Sequence, residues 1–149
     1  MDPLNRWRAG PKTRETLVTG TALAAPQRMT LSIALIALVF VVGGVMHFVR
    51  PRFYMDMMPP WLPAAAALVL ISGVFEILGG IGVLVPATRV IAGWGLIALL
   101  IAVFPANIQM LLNARAAHAS ASAMALLVAR LPLQALLVYW VFRATIQRP

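Results

Sequence analysis

Residues 29–48 read MTLSIALIALVFVVGGVMHF, a run of 20 residues without Asp, Glu, Lys or Arg. A helix rises about 1.5 Å per residue, so about 20 apolar residues are enough to cross the hydrocarbon core of a bilayer. In lipid every backbone N–H and C=O group must be bonded within the protein, which leaves the helix as the structure of such a segment. This stretch therefore predicts a membrane-spanning helix.

Three further segments have the same length and character. The predicted spans are residues 29–48, 64–85, 90–112 and 123–145. The linker between the second and third spans is only Val-Pro-Ala-Thr-Arg, residues 85–89, so these two spans are predicted to be antiparallel neighbours. The predicted fold class is all-α: a polytopic membrane protein built as an antiparallel bundle of four transmembrane helices.

Composition and charge support this class. Apolar residues make up 62% of the chain and charged residues 11%, against roughly 45–50% and about 25% in soluble domains. Five of the 12 basic residues precede the first span. We predict that residues 1–28 are a flexible, basic, cytoplasmic tail and that residues 29–149 form the membrane domain. The excess of Lys and Arg on one side places both termini in the cytoplasm; nucleic acid is not an expected partner.

The chain contains no cysteine. A disulfide, a cysteine zinc site and thiol chemistry performed by the chain itself are therefore excluded. Haem held by two histidines is not expected either, because His47 lies in a span whereas His118 lies in a polar loop. We expect no intrinsic cofactor and no metal site.

A small set of polar residues interrupts the spans. Charged and polar groups inside a bilayer are costly, so they usually face the interior of a bundle and mark functional sites. Their depths place them from the midplane to the outer side, which predicts one polar pocket open outward. The predicted ligand or proton pocket consists of His47, Glu76, Asn107, Arg130 and Gln134.

A purely structural interpretation of these residues is also open. A buried ion pair between Glu76 and Arg130, with the other three as hydrogen-bonding partners, would simply hold the helices together; breaking such a pair costs about 3–5 kcal/mol. Pro105 and Pro132 free the carbonyls of Ile101 and Val128, which become predicted acceptors.

The loop between the first two spans is rich in proline and aromatic residues. Prolines prevent a continuous helix, and the aromatic side chains give the loop an apolar face. We predict either a lid over the pocket or an aromatic belt at headgroup depth. The residues of this lid or interface are Tyr54, Pro59, Pro60 and Trp61.

Several motifs in order resemble the DoxX family of small bacterial four-helix membrane proteins. The motifs are residues 44–48, 50–51, 59–63, 72–80, 92–95, 104–107 and 130–134. The resemblance extends over about residues 29–145. It implies a bacterial inner-membrane protein associated with membrane oxidoreductase assemblies, working on quinone or sulfur compounds or in thiol defence.

The leading hypothesis is thus a membrane subunit or anchor of a redox assembly, accessory to an enzyme rather than an enzyme alone. Arg130 would contact an anion or carbonyl, Glu76 would supply a proton and His47 would be a second donor or acceptor. In this hypothesis the pocket holds either a quinone, whose ring would lie near Phe48, Phe75 and Phe104, or a small anion such as a sulfur oxyanion. The expected partners are the lipid bilayer and another membrane or redox protein, with homo-oligomerisation left open.

Two other functions are compatible with the sequence. A scaffold or assembly partner for another membrane protein would use the polar cluster for stability alone. A small-solute permease is less well supported, because the inner half of every span is apolar and no inverted repeat is visible.

Overall fold

The computed structural model describes residues 29–147, which form five helices and contain no strand. The helices are α1 Leu31–Val49, α2 Pro51–Met55, α3 Ala65–Gly82, α4 Arg89–Ala116 and α5 Ala121–Thr145. All except α2 are long and apolar enough to cross a membrane. The chain is an all-α, multi-pass membrane protein, and the predicted bundle of four helices is confirmed. The predicted tail, residues 1–28, lies outside the described residues.

The ends of the helices follow local chemistry. The Thr30 hydroxyl accepts a bond from the backbone of Ile33 and caps α1. Helix α3 stops at Gly82, before the predicted end at residue 85, because the Thr88 hydroxyl donates to the Gly82 carbonyl (2.8 Å) and closes a turn. The Ser120 side chain caps α5 by accepting from Ala123, so α5 begins before the predicted residue 123.

The four long helices surround a common axis. Contacts join α1 to α3, α3 to α4, α4 to α5 and, most sparsely, α1 to α5. The α1 start and the α3–α4 connection lie at one end of the bundle, which we call the N-terminal end. Helix α2 and the α4–α5 turn lie at the opposite end, which we call the loop end. This arrangement brings a side chain from every long helix towards the axis at any given depth.

The apolar core occupies the N-terminal end. Ile33, Ile36 and Phe40 of α1 pack there with residues of α4, of α5 and of the α3–α4 connection. Val83, Leu96 and Val141 are almost completely inaccessible to solvent. These side chains come from the early part of α1 and α4 and the late part of α5. They therefore fill the centre of the bundle in its N-terminal half.

Glycines let α1 and α3 cross closely in the loop-end half. A methyl group added at Gly44 would lie 2.6 Å from the backbone oxygen of Gly73, and one added at Gly73 would lie 2.8 Å from the Cβ of His47. Only glycine allows backbones to approach to this distance in a membrane helix pair. The crossing brings His47 against α3 and places Glu76, one turn beyond Gly73, beside it.

Candidate functional site

Glu76 reaches towards α1 at a point where α1 has no side chain. A Cβ built on Gly43 would lie 2.9 Å from the Oε2 of Glu76. The Glu76 carboxylate therefore occupies the space that any larger residue at position 43 would fill. Its side chain is 15% exposed, so this carboxylate lies inside the bundle.

His47 contacts two acceptors through one ring nitrogen. Its Nδ1 lies 3.1 Å from the backbone oxygen of Gly43 and 3.6 Å from the Oε2 of Glu76. Because the Gly43 carbonyl can only accept, Nδ1 carries a proton. In the neutral ring the lone pair is then on Nε2, which is left to accept a hydrogen bond. The pair can hold a proton between a carboxylate and an imidazole.

Tyr54 of α2 covers this pair from the loop. Its ring lies on the His47 ring with centroids 3.8 Å apart and planes 31° from parallel. Burial raises the pKa of the Tyr54 phenol, the charge of Glu76 raises it further, and Arg130 opposes the rise. The phenol is therefore protonated at neutral pH and can donate a hydrogen bond.

A second polar group joins α4 to α5. Asn107 Nδ2 donates to Gln134 Oε1, and Gln134 Nε2 donates in turn to the Leu100 carbonyl, each at 2.5 Å. The acceptor on α4 is thus the Leu100 carbonyl, which the sequence did not single out; that the carbonyls of Ile101 and Val128 accept from Asn107, Arg130, water or a ligand stays a prediction. Gln134 is buried, so these bonds satisfy an amide that would otherwise be costly in lipid.

The ion-pair partner of Glu76 differs from the one considered in the sequence analysis, which was Arg130. Among residues 29–147 no ion pair joins Glu76 to Arg130; Glu76 pairs with His47 instead. Arg130 is an exposed residue of α5. The geometry explains this choice, because the glycine crossing places α1, and not α5, next to Glu76.

These groups surround a single cavity of about 560 Å³ in the loop-end half. All five predicted pocket residues contribute to its lining: His47, Glu76, Asn107, Arg130 and Gln134. Since they come from all four long helices, the fold brings together residues far apart in sequence. Whether they bind a ligand or a proton stays a prediction.

The loop contributes to this cavity with partly different residues than predicted. Tyr54 lines it, together with Met58 and Leu62, which the sequence did not single out. Pro59, Pro60 and Trp61 are not in the lining. Trp61 is 69% exposed, as suits an aromatic residue at headgroup depth.

Apolar side chains make up most of the remaining lining. Phe75 lines the cavity as expected, but its aromatic neighbour there is Phe40; Phe48 and Phe104 are not in the lining. Such a cavity, mainly apolar with a few convergent polar groups, has the character of a small-molecule site. Gly43 is the residue that sequence reasoning missed, and its position one turn before His47 was the available signal.

Comparison with known proteins identifies a family. The model of the domain of unknown function DUF8561 matches residues 35–145, which is more than half of the chain. No curated protein and no solved structure matches the chain. The matched region extends from early α1 to the end of α5 and includes every polar residue of the cavity. The chain belongs to the family of the domain of unknown function DUF8561.

Proposed function

We propose that this protein is a membrane subunit or anchor of a redox assembly and that its cavity binds a quinone head group. The observation that supports this proposal most strongly is the composition of the cavity wall. Apolar and aromatic side chains surround three kinds of polar group: a carboxylate–imidazole pair, a phenol and a guanidinium. A quinone ring has apolar faces and two carbonyl oxygens, which such a wall can contact.

The polar groups have distinct roles in this proposal. Reduction of a quinone to a quinol takes two electrons and two protons. The chain has no cysteine, and a partner subunit of the assembly supplies the electrons through its own redox centre. Glu76 and His47 supply protons, while Tyr54 and Arg130 donate hydrogen bonds to the carbonyl oxygens. The protein is then an accessory subunit and the partner carries the electron-transfer chemistry.

The family resemblance seen in the sequence supports the same class of function. The motifs similar to those of DoxX proteins include the residues around His47, Glu76, Asn107 and Arg130. We place the protein in a bacterial inner membrane with both termini cytoplasmic, and the bias of Lys and Arg towards one side supports this orientation. The cavity then lies on the outer side of the membrane.

Binding can be tested directly on the purified protein. The bound quinone is extracted from protein solubilised in mild detergent and quantified by chromatography, for wild type and for Glu76→Gln. The matched control is Asp56→Asn, which makes the same carboxyl-to-amide change at an exposed residue outside the cavity. We expect quinone in wild type and in the control, and a reduced amount in Glu76→Gln. Absence of quinone from wild type, together with no quinone binding on titration, would rule the proposal out.

One observation favours the scaffold as a second candidate. Asn107, Gln134 and the Leu100 carbonyl satisfy one another, so two of the five residues of the polar cluster already have a structural role. In a scaffold, the remaining residues would matter only for assembly. An affinity purification from native membranes separates the two functions: oxidoreductase subunits that co-purify support the redox assembly, whereas an unrelated membrane client alone supports the scaffold.

A further inference from the structure

We propose that the cavity is filled from the bilayer, through the gap between α1 and α5. Its occupant is then a membrane-dissolved amphiphile, with a polar head in the cavity and an apolar tail lying in the gap. This inference rests on the proposed function, since it takes the cavity to be the binding site. It excludes a water-soluble ion that enters from the loop end.

The N-terminal end offers no entry. The core residues of α1, α4 and α5 pack there with Val83 of the α3–α4 connection, and Ile36, Val83 and Val141 are fully buried. Thr145 of α5 also lies directly against Gly93 of α4. This packing blocks the path along the bundle axis from that end to the cavity.

The loop covers the opposite end. Tyr54, Met58 and Leu62 line the cavity from the loop, and the Tyr54 ring lies on His47. The side chain of Asn113 at the end of α4 donates to the backbone oxygen of Asp56 (3.0 Å) and ties the loop across the bundle. The loop therefore lies between the cavity and water-soluble molecules at this end of the bundle.

The gap between α1 and α5 is the weakest wall. Glycines join α1 to α3, and the Asn107–Gln134 bond joins α4 to α5. Helices α3 and α4 share a short connection and contact each other where Leu96 fills the space beside Gly79. Among the described residues, no hydrogen bond, ion pair or ring contact is found between α1 and α5, and of the neighbouring long helices these two contact each other least.

Side chains at this gap belong to the cavity and to the lipid surface at once. Val39 of α1 is 45% exposed and Leu133 of α5 is 59% exposed, yet both line the cavity. Leu133 and Leu137 share the α5 face of Arg130, because they follow it at helical spacing. The long side chain of Arg130 can thus contact a polar head at the mouth while apolar residues below it contact the tail.

Photoaffinity labelling tests this route. The probes are an azido-benzoquinone with an isoprenoid tail and the same ring without a tail, added to the protein in phospholipid vesicles. Labelled peptides are identified by mass spectrometry. We expect the tailed probe to label α1 and α5 on either side of the gap, and to do so at far lower concentration than the tail-free ring.

Bulky substitutions then locate the entrance. Leu133→Trp narrows the proposed gap, and Leu136→Trp is the matched control, since Leu136 is equally exposed on α5 but does not line the cavity. We expect Leu133→Trp to lower the labelling rate by about tenfold or more, because the added ring occupies the entrance, and Leu136→Trp to leave it nearly unchanged. Val39→Trp narrows the same gap from α1 and covers the case in which Leu133→Trp does not fold.

The outcomes separate the two proposals. If neither probe labels the cavity of wild type, the proposed quinone site is wrong. If both probes label it equally well, or if Leu133→Trp and Val39→Trp are labelled no more slowly than Leu136→Trp, the site stands and the lateral route through α1 and α5 is overturned.

Discussion

The carboxylate of Glu76 lies in the space left by the missing side chain of Gly43. A Cβ at position 43 would stand 2.9 Å from Glu76 Oε2, closer than real Cβ contacts allow. The same glycine offers its carbonyl to His47 Nδ1 at 3.1 Å. Gly43, which lies in an otherwise apolar part of α1, thus positions both Glu76 and His47.

Gly43→Ala should therefore alter the site and spare the fold. The new methyl group displaces the flexible end of Glu76, which can move, so we expect unfolding free energy within about 1 kcal/mol of wild type and quinone affinity reduced by about tenfold. Extraction of bound quinone and thermal unfolding in detergent measure the two effects.

The neighbouring glycine provides the contrast. Gly44→Ala directs its methyl group at the Gly73 carbonyl oxygen, which is backbone and cannot yield. Overpacking of this kind costs about 1–3 kcal/mol, so we expect this variant to lose stability. An equal loss of unfolding free energy in Gly43→Ala and Gly44→Ala would contradict the prediction that Gly43 shapes the site whereas Gly44 allows α1 and α3 to cross.

The amide of Gln134 should stabilise the pairing of α4 and α5. Gln134→Leu removes its bonds to Asn107 and Leu100, and we expect a loss of about 1–2 kcal/mol, since membrane hydrogen bonds average roughly 0.6 kcal/mol and reach about 1.7. Gln109→Leu is the control, because Gln109 bonds only to the exposed Asn113 of its own helix. In the double variant Asn107→Leu/Gln134→Leu the losses should add less than fully; full additivity would argue against a coupled pair.

Tyr54 should act through its ring and its hydroxyl separately. Tyr54→Phe keeps the ring over His47 and removes the phenol, so we expect weaker quinone binding with the loop still in place. Tyr54→Ala also removes the ring contact, worth about 0.5–1.5 kcal/mol, and should expose the loop. Hydrogen exchange over residues 51–58 reports the second effect; unchanged exchange in Tyr54→Ala would show that the ring does not hold the loop.

The orientation of the bundle can be read from single cysteines, because the native chain has none. Ala117→Cys lies in the α4–α5 turn at the loop end, and Ala87→Cys lies in the α3–α4 connection at the N-terminal end. In spheroplasts, a membrane-impermeant maleimide should label Ala117→Cys and leave Ala87→Cys unlabelled until the cells are lysed. The reverse pattern would place the termini outside and the cavity towards the cytoplasm.

The number and length of the spanning helices could be predicted from the sequence because they depend on local properties. Hydrophobicity over about 20 residues and the lack of alternatives in lipid determine a span without reference to its neighbours. The depth of each polar residue follows from its distance along the helix, so His47, Glu76, Asn107, Arg130 and Gln134 could be assigned to one half of the bundle.

Partners within that half could not be predicted in the same way. Opposite charge suggested Glu76 and Arg130, but rotation of each helix about its axis decides which side chains meet, and the Gly44–Gly73 crossing turns Glu76 towards His47. The bond from Gln134 to the Leu100 carbonyl was not predicted, because it too depends on how α4 and α5 are rotated towards each other.

The sequence by itself thus determined that the chain spans a membrane four times and carries its polar residues in one half, since both depend on composition along the helix axis. Only the tertiary structure decided that these residues surround one cavity, that Gly43 makes room for Glu76, and that α1 and α5 contact each other least among the neighbouring long helices. Those features depend on how closely backbones approach and how helices are rotated, which non-local contacts between glycines and their neighbours control.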